Sequence, residues 1–103
     1  MKYGIKDNIL DSIRRIFSKY HKIEKVLLYG SRAKGNYKNG SDIDLTLVGE
    51  NLSIQDLNKI HWELDELDLP YHFDISIYNK IKNNELIDHI NRVGITIYEK
   101  NKG

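Results

Sequence analysis

The chain has 103 residues and a mass of 12.1 kDa, enough for one compact domain with a modest core and little room for a second. Hydrophobic residues make up 40% and charged residues 30%, with no cysteine, which excludes a disordered chain, a disulfide framework, a thiolate metal site and a cysteine nucleophile. The net charge of +1 hides an asymmetry: residues 1–40 hold 10 basic and 3 acidic side chains, and residues 41–103 hold 6 and 12.

Ile5, Ile9, Leu10, Ile13, Ile16, Phe17 and Tyr20 recur every three or four residues, which predicts an amphipathic helix. Lys25-Val26-Leu27-Leu28-Tyr29 is a continuous apolar run ending at Gly30, the pattern of a strand covered on both faces. Residues 30–41 contain three glycines and many polar residues, and read as a loop with room for one helical turn. From Ser41 to Val48 the chain alternates as a strand. Ser53 then caps a second helix with Ile54, Leu57, Ile60, His61, Leu64 and Leu67 on its inner stripe, and Pro70 stops it. Tyr71 to Tyr78 alternates again, with Phe73, Ile75 and Ile77 on one face and Asp74 and Ser76 on the other. A helix from about Asn84 to Arg92 turns Leu86, Ile87, Ile90 and Val93 inward; Gly94 ends it before a short strand, Ile95 to Tyr98. The predicted fold class is α/β (α+β), a small mixed sheet with helices packed on it. No apolar run approaches the roughly 18–20 residues of a membrane span, and the N-terminus lacks a signal's apolar block. The expected location is the cytoplasm, where a chain without cysteine is at home.

Asp42 and Asp44 lie two apart on a strand, so their carboxylates share a face while Ile43 and Leu45 anchor the other. Two such carboxylates repel each other, and a hard divalent cation relieves that repulsion through oxygen ligands. A lone Asp-x-Asp is usually a solvated strand edge; here it has company. Gly30 lets the backbone approach a ligand, Ser31 adds a hydroxyl, and Arg32, Lys34 and Lys38 concentrate cationic donors on the same loop. Together these are the parts that a nucleoside triphosphate requires. A ten-residue loop suits antiparallel neighbours, and a helical crossover suits parallel ones. Gly30-Ser31, Asp42, Asp44 and Asp74 are thereby predicted to meet at one edge of the sheet. His72, His61, Trp62 and the acidic run from Glu63 to Asp68 are read as a structural or exposed histidine, a packed core histidine, a core or interface aromatic and a solvated helix end.

Leu28-Tyr29-Gly30-Ser31, ten residues, then Asp42-Ile43-Asp44-Leu45 resembles the signature of the DNA polymerase beta-type nucleotidyltransferase superfamily. Four fixed letters at fixed spacing arise by chance about once in 10⁵ positions at average usage, so the signature is specific. The resemblance extends over most of the chain. It is nearest to the minimal nucleotidyltransferases, the MNT group found beside HEPN-domain proteins in toxin–antitoxin pairs. It implies that Gly30 and Ser31 hold the triphosphate, that Asp42 and Asp44 bind two Mg²⁺ ions, and that Asp74 helps bind metal and activate the attacking hydroxyl. Arg32 is a further candidate for the phosphates. The whole chain, 1–103, is expected to be a single domain without space for an acceptor site of its own. The expected function is transfer of AMP from ATP to a tyrosine of a partner HEPN toxin, which makes the chain an antitoxin. The alternatives are an antitoxin that neutralises by binding alone and a small-molecule nucleotidyltransferase. No membrane or nucleic-acid partner is expected. The acceptor, the nucleotide preference and the oligomeric state stay open at this level.

Overall fold

The computed structural model describes residues 1–100. In chain order they form α1 (Asp7–Ser18), β1 (Lys25–Tyr29), α2 (Gly30–Lys34), β2 (Ile43–Val48), α3 (Ile54–Glu66), β3 (Phe73–Ile77), a 3-10 turn (Tyr78–Lys80), α4 (Asn84–Val93) and β4 (Ile95–Glu99). The four strands make one mixed sheet in the order β3-β2-β1-β4. β1 pairs antiparallel with β2 and with β4, whereas β2 and β3 run parallel. The loop that carries α2 and the helical crossover therefore produce the expected senses of pairing.

Period-2 alternation sorts the side chains of the sheet. Val26, Leu28, Ile43, Leu45, Leu47, Phe73 and Ile77 face one way and join Leu10, Ile13, Phe17, Ile60 and Leu64 in the main core. α1 and α3 cover that face, and Arg14 Nε ties α1 to the sheet by donating to Ile97 O at 2.7 Å. The α3 entrance is a complete capping box: Ser53 Oγ accepts from Asp56 N, and the Asp56 carboxylate accepts from Ser53 N at 2.9 Å. Tyr29, Asp44, Thr46, Asp74 and Ser76 occupy the opposite face, where α2 and α4 lie.

Several boundaries differ from the sequence expectation for local reasons. Ile5 is buried but precedes the helix, in a tight turn closed by the Lys2–Ile5 bridge. Ile54 sits in the first turn of α3 and is 54% exposed, outside the inner stripe. His61 is half-exposed, beside the stripe and not on it, with Nδ1 3.4 Å from the Asp65 carboxylate. Of the four apolar residues on α4 only Ile90 is fully buried, so that helix is half-covered. Gly94 does end α4, yet with φ −60° and not in the left-handed region. Its role is clearance: a Cβ there would lie 2.4 Å from Ile90 O. No helix among the described residues is long and apolar enough to cross a membrane.

Candidate active site

The register of the sheet assembles the site. Tyr29 of β1 is opposite Asp44 of β2, and Asp44 is in turn opposite Asp74 of β3. Asp42 precedes β2 and is exposed; the Ile43 amide next to it donates to His72 O at 2.8 Å, fixing the entry of β2 beside β3. Asp44 is half-buried and Asp74 exposed, so the acids step from the sheet surface out to solvent. Gly30 and Ser31 follow directly on β1 and open α2. Gly30 has φ +75°, and a Cβ built on it would lie 2.2 Å from Asp44 Oδ2. Only glycine admits both that backbone conformation and that approach. All five expected residues, Gly30, Ser31, Asp42, Asp44 and Asp74, therefore share one edge.

The electrostatics of the site are those of like charges brought together. None of Asp42, Asp44 and Asp74 has an ion-pair partner among the described residues. Burial, then the charges of Asp74 and Asp42, push the Asp44 carboxyl up to about 6, while Arg32 acts in the opposite direction. Burial also pushes the Tyr29 hydroxyl up; a hydrogen bond with Ser76 opposes this, and the Asp74 and Asp44 charges add to it. The three carboxylates do not form a closed three-ligand cluster among the described residues. As an all-oxygen, unpaired and mutually repelling set they fit a hard divalent cation, whose charge would remove the repulsion.

Arg32 departs from the expectation of an open phosphate ligand. It is 2% exposed. Nε and Nη2 donate to Ser41 O at 3.1 and 2.8 Å, and Nη1 donates to Tyr3 O at 2.9 Å. The guanidinium lies 5.2 Å from the Tyr37 ring centroid and 5.1 Å from that of Tyr71. It is thus a strut that fastens α2 to the start of β2, one residue before Asp42, and acts on the site through that geometry. Burying a cation without a carboxylate works because three carbonyl bonds and two ring faces replace its water. Arg32→Ala is expected to cost about 3 kcal/mol in urea unfolding, and Arg32→Lys about 2 kcal/mol, because an ammonium cannot span both carbonyls. Lys34 and Lys38 remain exposed on the loop. Lys6 and Lys38 line a cleft of about 360 Å³ beside the strut.

One contact has no counterpart in the sequence reading. His89 on α4 accepts the Gly30 N–H at Nε2 over 3.1 Å, and its ring meets Tyr29 edge-on at 6.1 Å. The bond spans 59 residues, and no spacing rule reaches that far.

Comparison with known proteins identifies the family and the fold. Residues 11–103 match the family of polymerase beta nucleotidyltransferases. The "Putative protein adenylyltransferase MJ0141" of Methanocaldococcus jannaschii is 34% identical over 79 residues, covering 74% of this chain and 80% of that protein. A chain in a crystal structure of a toxin–antitoxin with AMP-PNP superposes with a TM-score of 0.70 at 18% identity, over 95% of this chain and 77% of that one. A chain in the structure of a tri-AMPylated Shewanella oneidensis HEPN toxin in complex with MNT antitoxin gives 0.68 at 15% identity, over 93% and 74%. At those identities the two structures speak for the fold. The family match includes β1, the Gly30-Ser31 turn and all three carboxylates, and with the fold in agreement, the chain belongs to the polymerase beta nucleotidyltransferase family.

Proposed function

We propose that this nucleotidyltransferase moves AMP from ATP onto a tyrosine hydroxyl of a HEPN toxin, and that it does so with a divalent metal, Mg²⁺ in the simplest case. The observation that carries the reading is the unpaired trio Asp42, Asp44 and Asp74 set against Gly30-Ser31. Adenylyl transfer supplies the chemistry that consumes such an arrangement. The relative named for protein adenylyltransferase activity and the fold shared with a complex of an AMPylated HEPN toxin support the acceptor class.

In this reading Gly30 and Ser31 hold the triphosphate, the Ser31 hydroxyl and the backbone at the start of α2 facing its oxygens. Asp42, Asp44 and Asp74 would hold the metal ions. Bound there, the cations lower the pKa of the attacking hydroxyl and offset charge on the leaving pyrophosphate. Asp74, exposed on the edge strand, takes the proton of the acceptor hydroxyl as its oxygen attacks the α-phosphorus. The new O–P bond forms while the bond to the bridging α–β oxygen breaks, and pyrophosphate leaves. Lys34 and Lys38 raise the local positive potential for the incoming nucleotide.

The stoichiometry tests this directly. With a HEPN partner, ATP and Mg²⁺, one pyrophosphate is expected per AMP transferred to the partner, and EDTA should stop both. Release of inorganic phosphate without AMP on the partner would contradict the reading.

A further inference from the structure

Among the described residues, α4 is joined to the Gly30 turn by a hydrogen bond from Gly30 N–H to His89 Nε2. Gly30 is the first residue of α2, and its N–H has no partner within a helix that begins there. Glycine's broad conformational freedom leaves this junction soft unless something holds it. His89 Nε2 holds it, at 3.1 Å, and the Tyr29 ring packs edge-on against the imidazole at an interplanar angle of 80°. The same junction presses on Asp44, because the space where a Gly30 Cβ would sit is filled by Oδ2 of that carboxylate. A neutral imidazole that accepts at Nε2 carries its proton on Nδ1, so the contact also sets the tautomer.

We propose that His89 is a positioning residue for nucleotide binding: by accepting the Gly30 N–H it keeps Gly30-Ser31 closed over Asp44 in the orientation the triphosphate requires. This rests on the adenylyl-transfer reading for the identity of the nucleotide, though the hydrogen bond itself does not. His89 touches neither substrate nor metal in this role. Its effect reaches them through the backbone of the loop. Residues on α4 thereby become part of the nucleotide site although they lie far from the signature in sequence.

The test uses two substitutions with opposite expectations. His89→Phe keeps a ring against Tyr29 and removes the acceptor, whereas His89→Gln removes the ring and restores an acceptor at a similar reach. His89→Phe is expected to raise KM for ATP about tenfold with little change in kcat, and His89→Gln to stay within about threefold of wild type. Nuclear magnetic resonance supplies the readout that a merely structural role would not move. The Gly30 amide proton should shift upfield and exchange faster in His89→Phe, and wild-type His89 should show an unprotonated Nε2. An unchanged KM for ATP in His89→Phe would overturn the proposal, whether or not the Gly30 amide shifts. So would a loss of ATP affinity that His89→Gln suffers equally. If wild type transfers no AMP, the adenylyl-transfer reading fails by itself; ATP titration and the Gly30 amide still decide the role of His89.

Discussion

Asp44→Asn is expected to yield a protein that folds more stably than wild type and transfers almost nothing. The two effects have one cause. In the metal-free protein the Asp44 carboxyl is lifted from 3.8 to about 6 by burial and by its acidic neighbours. An acid whose folded pKa is raised gives its full stabilisation below the unfolded value and loses it as pH rises through the folded one. Wild type should therefore lose stability between pH 3.8 and about 6, and remain at the lower level above that. Asparagine removes the charge and with it this loss. Solvent screening at a half-exposed group reduces the gain to about 1 kcal/mol, or roughly 4–8 °C in Tm for a domain of this size. Activity should fall about 10³-fold, since an anionic oxygen ligand is gone. Thermal scans of both proteins from pH 4 to 8 check the first half. Added Mg²⁺ should raise the Tm of wild type at pH 7.5 and have little effect on Asp44→Asn.

Gly30→Ala is expected to lower both stability and turnover, through two separate costs. At φ +75° an alanine costs about 1–2 kcal/mol of backbone strain. Its Cβ would also meet Asp44 Oδ2 at 2.2 Å, so the carboxylate must rotate away from its place beside Asp74. A displacement of that order in a reacting geometry lowers turnover by about 100-fold or more. Urea unfolding and kcat measured on the same preparations distinguish the two terms. In the background of Asp44→Ala the second cost should vanish, and Gly30→Ala should then show only the backbone strain. Additive effects on turnover would mean that the two residues do not meet.

Much of this arrangement was legible from the residues. Alternation in β2 and β3 placed Asp44 and Asp74 on one face, and connection length fixed which strands run parallel. Local chemistry was equally readable at the start of α3, where Ser53 and Asp56 form their cap within four residues. Non-local events were not readable. Arg32 looked like a phosphate ligand because it stands on a basic loop, yet Ser41 O and Tyr37 of that same loop, with Tyr3 O and Tyr71 from distant segments, claim its guanidinium. His89 carries no motif or spacing that singles it out in the sequence. Its function as an acceptor depends on where α4 docks, which helical periodicity does not encode. Ile54 and His61 went astray for a smaller reason: a helical stripe has edges, and residues one step off it reach solvent or an acidic neighbour instead.

The charge asymmetry at residue 40 also acquires a structural meaning. The boundary runs through the candidate active site, between a basic loop and three carboxylates, and not between two domains. Within the basic part, the one arginine of the loop is spent on holding the loop itself, while Lys34 and Lys38 stay exposed on it.

The most direct test of the central claim is label transfer from ATP carrying ³²P at the α-phosphate, with Mg²⁺ and a HEPN partner, for wild type and for the double variant Asp42→Ala/Asp44→Ala. The account predicts that wild type places the label on a tyrosine of the partner, as the mass of one AMP at that residue, and that the double variant places none. Absence of label from wild type with the partner fully neutralised, or equal labelling by the double variant, would contradict it.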